Sequence, residues 1–167
     1  LCVKYVACDG NFYLSTMSDV WDSVLPDGTR VYMGTSSYPS RYYNEYIATA
    51  NDRVIAMLRD IGIKNGAMSL TGFYDEGKFR FFDPSLRMGG AQDWRVVEAA
   101  CGVNIANLLT NFAVTGKMGD IAEVSKIDRA FANKFSALLY YDLKIGTIGC
   151  IEGIKEVLAL PGVVGYH

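Results

Sequence analysis

The sequence predicts an α+β domain, mainly antiparallel sheet with flanking helices. Two hairpin signals and one amphipathic stripe carry this expectation. Asp9-Gly10 lies between two β-prone segments, Leu1 to Ala7 and Phe12 to Ser18. Asp75-Glu76-Gly77 separates two more, Ala67 to Tyr74 and Lys78 to Asp83. Between the hairpins, Tyr43, Tyr46, Ile47, Ala50, Val54, Met57, Leu58 and Ile61 recur three or four apart, which is one face of a helix over Arg41 to Ile61.

The other elements follow from local chemistry. Pro26-Asp27-Gly28 is a turn signal, and Val31 to Met33 reads as a short strand. Gly34 to Ser40 is polar and reads as a solvated connector. Gly62 stops the long helix and Asn65-Gly66 opens the second hairpin. Asp93 is the expected N-cap of a helix from Trp94 to about Ala100, ended by Gly102. A second helix is expected from about Asn104 to Thr115, with Ile105, Leu108, Leu109 and Phe112 inward and Gly116 closing it. Further strands are expected at Phe135 to Leu143, Thr147 to Ile151 and Val163 to Tyr166, with a turn at Lys144-Ile145-Gly146 and a helix over Glu152 to Ala159.

Bulk properties narrow the function classes. The 167 residues are enough for one core, and half of them are hydrophobic against a fifth charged, which excludes a disordered chain. A net charge of -2 without a basic run recommends neither nucleic acid nor an anionic membrane as partner. No apolar run approaches the ~20 residues of a bilayer span, and no signal peptide opens the chain. Cys2, Cys8, Cys101 and Cys150 show no C-x-x-C spacing and read as free thiols of a cytoplasmic protein. The sole histidine is His167, so a histidine triad or histidine metal cluster is not expected. The aromatic-rich composition permits a homodimer.

The chemistry concentrates at the end of the second hairpin, DPSLRMGG from Asp83 to Gly90. An extended backbone places the acid Asp83, the hydroxyl of Ser85 and the guanidinium of Arg87 on one side. An acid can hold Mg²⁺, and an arginine braces phosphate oxygens with a planar fork. Gly89 and Gly90 permit tight backbone geometry next to a ligand. Read without any relative, the same residues also suit a satisfied surface loop in which Arg87 pairs with Asp83 or Asp93.

This pattern resembles the second half of an ATP-grasp domain, where an acid, an Asn and an Arg in the order E-x-N-x-x-R close a strand, often followed by Gly-Gly. Asp83 stands where the family has Glu, Ser85 where it has Asn, and Arg87 near its arginine. The likeness extends to the order of strand, loop, paired glycines and two short helices, and IGTIGCIEGIKEVLALPGVV is similar to the tail of the carboxylate-amine ligase branch, the relatives of carbamoyl phosphate synthase and biotin carboxylase.

The resemblance implies an ATP-grasp C-terminal subdomain, with residues 1–120 as the C-terminal half of the nucleotide domain and 121–167 as a β-rich extension on the same core. Its implied cofactors are ATP and Mg²⁺ (or Mn²⁺), its substrates a small carboxylate and an amine joined through an acyl phosphate. Asp83 and Ser85 would be metal ligands, with Ser69 where the family has a further acid on the preceding strand. Arg87 would be the catalytic clamp, and Gly89 and Gly90 would shape the phosphate pocket. The chain opens inside a predicted strand without an initiator methionine, so the expectation is a fragment whose adenine-binding half lies upstream. Neutral serines at 69 and 85 leave open a second reading, a degenerate module that binds ligand or partner without catalysis.

Overall fold

Strong turn chemistry folds the first hairpin. The computed structural model describes residues 1–141 and 146–166, apart from the side chains of residues 31–33. Strands β1 (Cys2–Cys8) and β2 (Asn11–Val24) are joined by Asp9 and Gly10, both at positive φ (48° and 80°). Two left-handed residues give the turn whose twist matches antiparallel strands, which is why Asp-Gly sits there. The second hairpin, β4 (Gly66–Asp75) and β5 (Lys78–Ser85), turns in the same way at Glu76 and Gly77, φ 47° and 74°.

With β3 (Arg30–Tyr38) and β6 (Ser136–Leu139) these strands form one six-stranded sheet in the order β5-β4-β1-β2-β3-β6, every pairing antiparallel. The α+β, mainly antiparallel architecture expected from the sequence is therefore present. Gly34 to Ser40 departs from the expected connector, because residues 35–37 pair with β2, residues 35–38 pair with β6, and Ser36 is buried. Polarity there marks a sheet row rather than a loop.

Helices cover both faces. Side chains alternate along a strand, so Val3 and Tyr5 enter one core while Val6 and Cys8 enter another. The first core is capped by α1 (Tyr43–Thr49) and α2 (Asn51–Asp60), through Tyr46, Val54 and Leu58. The single helix expected over Arg41 to Ile61 breaks at Ala50, whose ψ of -32° is paired with a φ of -127°. The break brings Asn51 into the core, where its Oδ1 accepts a 2.8 Å hydrogen bond from Tyr5 Oη, itself 2.5 Å from Tyr46 Oη. A buried amide without such partners would be destabilising, and periodicity alone does not record that constraint.

The second core lies under α3 (Asp93–Cys101) and α4 (Ile105–Thr115), with Val97 and Ile105 buried. Asn104 caps α4 by accepting from the Asn107 N-H at 3.0 Å, and Gly102 and Gly116 end the two helices at positive φ, as expected. Asp93 is the first residue of α3 rather than its cap, because its carboxylate is committed elsewhere. The short α5 (Ile121–Val124) and the 3-10 turn Ser125–Ile127 bring Val124, Ile127 and Phe131 into the same core. Each such burial contributes roughly 1.5–3 kcal/mol, enough to fasten this segment to the sheet.

None of the described residues after β6 belongs to a strand. Thr147 to Ile151 and Val163 to Tyr166 are not strands, and the expected last helix is reduced to α6 (Ile154–Leu158), which buries nothing. β-propensity needs a partner strand to become structure, and among the described residues Ile148, Ile151 and Val164, each more than half exposed, have none. The end of the strand expected at Phe135 to Leu143 and the turn expected at Lys144-Ile145 lie outside the described residues, as does His167. The cysteines are free thiols, with Cys2 and Cys8 buried. Among the described residues no single helix is long and apolar enough to cross a membrane. The α3–α4 pair, bent by 102°, passes that test only jointly.

Candidate functional site

Register builds the site. Lys4 of β1 pairs with Ser69 of β4, which pairs with Ser85 of β5; Cys2 pairs with Thr71, which pairs with Asp83. Directly opposed residues share a face, so Lys4, Ser69, Thr71, Asp83 and Ser85 line the α3 side of the sheet. From β2, Thr16 and Ser18 join the same two rows opposite Lys4 and Cys2. The result is a hydroxyl-rich platform between the second core and the outer end of the sheet.

The residue facing Asp83 is Thr71, and Ser69 lies one pair along, opposite Ser85. A bulge between Thr71 and Gly72 leaves Phe82 without a partner and shifts the register by one residue. Ser69 is buried, its Oγ 3.1 Å from Cys2 Sγ, while Asp83 is exposed and Ser85 half-buried.

Arg87 is exposed and donates from Nη1 to the Met88 carbonyl at 3.3 Å. Among the described residues it has no ion pair with Asp83 or Asp93. Asp93 belongs instead to Lys4, whose Nζ lies 2.6 Å from Asp93 Oδ2, with side-chain exposures of 13% and 5%. The sequence reading missed Lys4, although a lone lysine inside CVKYVAC is the signal that could have found it. Gly89 closes over this pair: a Cβ there would sit 2.8 Å from Lys4 Nζ and 3.3 Å from Asp93 Oδ1. Gly90, by contrast, has open space where a side chain would go.

A cavity of about 10 Å³, room for one water at most, is walled by Lys4, Ser15, Arg87, Gly89, Asp93 and Trp94. Asp83 does not line it, so the structure brings Arg87 and Gly89 together with Lys4 and leaves Asp83 on the open platform. Among the described residues, Asp93 Oδ1 and Thr16 Oγ1 are buried without hydrogen-bond partners. Tyr140, just after β6, donates to the Ala91 carbonyl at 2.9 Å and ties that strand to the Arg87–Ala91 loop. Burial, then the nearby Asp93 carboxylate, raises the Tyr140 phenol above its ordinary value.

The donor set is lean. Among the described residues no three His, Cys, Asp or Glu side chains group to hold a metal ion. Asp83 is one carboxylate flanked by neutral hydroxyls of Thr71 and Ser85. That set fits Mg²⁺ only when a triphosphate supplies further oxygens, the usual way in which this ion is held with one or two carboxylates.

Comparison with known proteins addresses the fold. No protein-family model matches the sequence, and no curated protein does. Among solved structures, an L-amino acid ligase from Bacillus licheniformis matches over 68% of this chain at 19% identity and a TM-score of 0.53. A phosphoribosylglycinamide synthetase from Anaerococcus prevotii matches over 81% at 13% identity and a TM-score of 0.52. The matches span 29% and 32% of those two chains, so the likeness is to about a third of each. At these identities the likeness is one of fold, and it supports the ATP-grasp architecture for this chain.

Proposed function

We propose that this chain is the phosphate-handling part of an ATP-dependent carboxylate-amine ligase of the carbamoyl phosphate synthase and biotin carboxylase type. The observation that carries the reading is the platform itself. Asp83 and Ser85 stand in adjoining rows of one sheet face, followed at once by a loop that presents Arg87 and the Gly89-Gly90 backbone. The fold shared with an L-amino acid ligase supports it. Residues for the adenine end of the nucleotide would come from a segment outside these 167, in line with matches that span about a third of the similar structures.

In the proposed reaction a carboxylate takes the terminal phosphoryl of ATP, and an amine then displaces phosphate from the acyl phosphate. Mg²⁺ (or Mn²⁺), arriving with the nucleotide, would neutralise phosphate charge. Asp83 would hold the ion, with Ser85 and Ser69 as neutral oxygens beside it. Arg87, whose guanidinium is committed among the described residues only to one carbonyl, would swing its fork onto the migrating phosphoryl and favour the charge that spreads there. Backbone N-H groups of residues 88–90 would receive the acyl phosphate oxygens. The substrates would be small molecules and the setting cytoplasmic, with a homodimer compatible.

The test is ADP release by the intact parent protein, dependent on Mg²⁺ and on an added acid and amine. Arg87→Ala is expected to lower turnover by about 10²-fold or more while nucleotide still binds. Tight ATP binding with no turnover across a broad panel of acids and amines would instead establish the non-catalytic binding module, the role suited to the neutral residues at 69 and 71.

A further inference from the structure

The loop that runs from Arg87 to α3 ends on a strained residue. Gln92 is left-handed, with φ 55° and ψ 22°, a conformation that a residue with a Cβ keeps only where its surroundings impose it. At Asp9 and Glu76 the same twist belongs to a hairpin turn with glycine next in line. Gln92 is in no hairpin, and the bonds it makes among the described residues run forward into α3. Its carbonyl accepts from the Arg95 N-H at 3.0 Å, and its Oε1 accepts from Arg95 Nε at 2.8 Å. Both bonds travel with the helix and leave open how the loop arrives.

Two anchors decide that, one on each side. After Gln92, the Asp93 carboxylate is held by Lys4 from the middle of β1. Before it, the Ala91 carbonyl accepts from Tyr140 Oη at 2.9 Å, across 49 residues of chain. Tyr140 is placed by the other end of the sheet. Its N-H donates to the Gly34 carbonyl at 3.3 Å, β6 pairs with β3 from Tyr38–Ser136 to Thr35–Leu139, and Leu138 packs against the second core. A residue caught between bonds to two separate strands stays strained until one of them opens.

Among the described residues Arg87 bonds only to the next carbonyl, that of Met88, and Gly90 faces open space. We propose that Tyr140 is a positioning residue for the candidate site, holding the Ala91 carbonyl so that Gln92 stays left-handed and Arg87 and the backbone of residues 88–90 keep their places. The inference rests on the phosphate-handling reading of that loop. Donors already in place spend nothing on reorganisation when charge develops, and small misplacements of such groups are costly.

Tyr140→Phe removes one oxygen and keeps the ring. In the intact parent protein, hydrogen exchange at the amides of residues 88–92 is expected to rise about tenfold relative to amides of β1 and β4, as the loss of one hydrogen bond would give. Gln92→Gly, which suits the left-handed conformation without a clamp, is expected to restore most of that protection when combined with Tyr140→Phe. Where the parent turns ATP over, Tyr140→Phe is expected to lower kcat about tenfold with the KM for ATP within about twofold. Unchanged exchange in the loop, an equal rise throughout the sheet, no rescue by Gln92→Gly, or an unaltered kcat in an active parent would each overturn the inference. A parent without turnover would sink the ligase reading alone, because the exchange and rescue measurements still decide whether Tyr140 sets the loop.

Discussion

Lys4 Nζ and Asp93 Oδ2, 89 residues apart in sequence, lie 2.6 Å apart beneath Gly89. This ion pair fastens the start of α3 to the middle of β1, and with it the loop that carries Arg87. Asp93→Ala leaves a lysine ammonium at 13% exposure with its counter-ion gone, and the expected loss is about 3–5 kcal/mol in urea unfolding. The double variant Lys4→Met with Asp93→Leu removes both charges and is expected to recover most of that loss. A double variant as unstable as Asp93→Ala would show that packing, not charge, holds the loop.

Gly72 is the second sensitive point. A Cβ there would lie 2.3 Å from the Arg80 carbonyl oxygen, a backbone atom that cannot move without opening the β4–β5 bulge. Gly72→Ala is expected to lower stability by about 1–3 kcal/mol, as overpacking does. Gly90→Ala, facing open space, serves as control and is expected to leave the thermal midpoint unchanged.

Stability is expected to fall at both ends of the pH scale, for different reasons. Asp19 has its pKa lowered in the folded chain, so it contributes stability above its unfolded value of about 4 and loses it as pH falls through the folded one. Asp19→Asn is expected to flatten that acid limb, read by circular dichroism against pH. At the alkaline end, burial raises the phenols of Tyr5, Tyr38 and Tyr46, and the Glu45 hydrogen bond raises Tyr74 to about 12. Neutral phenol is the favoured folded form, so this stability is present below about pH 10 and lost as pH rises toward the folded values. Phenolate absorbance should therefore appear in two steps, the second coinciding with loss of secondary structure; a single step before unfolding would contradict the buried Tyr5–Tyr46 pair.

A lone carboxylate at residue 83 sets a further expectation. Calorimetric titration with Mg²⁺ alone should show no saturable binding, because the neighbours in register are neutral hydroxyls. Saturable binding abolished by Asp83→Asn would mean that Thr71 and Ser85 complete a metal site by themselves.

Local chemistry made much of the fold legible. Asp9-Gly10 and Glu76-Gly77 fixed the hairpins because few other residue pairs suit two successive positive φ angles, and Asn104 and Gly116 bounded α4 by capping. Features that depend on a distant partner were not legible. The helix break at Ala50 follows from the reach of Asn51 to Tyr5, the strand at residues 34–38 from pairing with β6, and the failure of Thr147 to Ile151 to form a strand from the lack of a neighbour. At the candidate site, the loop DPSLRMGG was legible as a sequence pattern, whereas Lys4 reaches that loop through sheet register, and a one-residue bulge decides that Thr71 faces Asp83.

Pro84 occupies the outermost strand between Asp83 and Ser85, with its ring nitrogen carrying no hydrogen. A foreign chain trying to extend the ladder there would find a missing rung beside the acid and the hydroxyl. Polymerisation through that border is thereby discouraged, and the neighbouring oxygens are left accessible to small molecules instead of being sealed beneath a seventh ribbon.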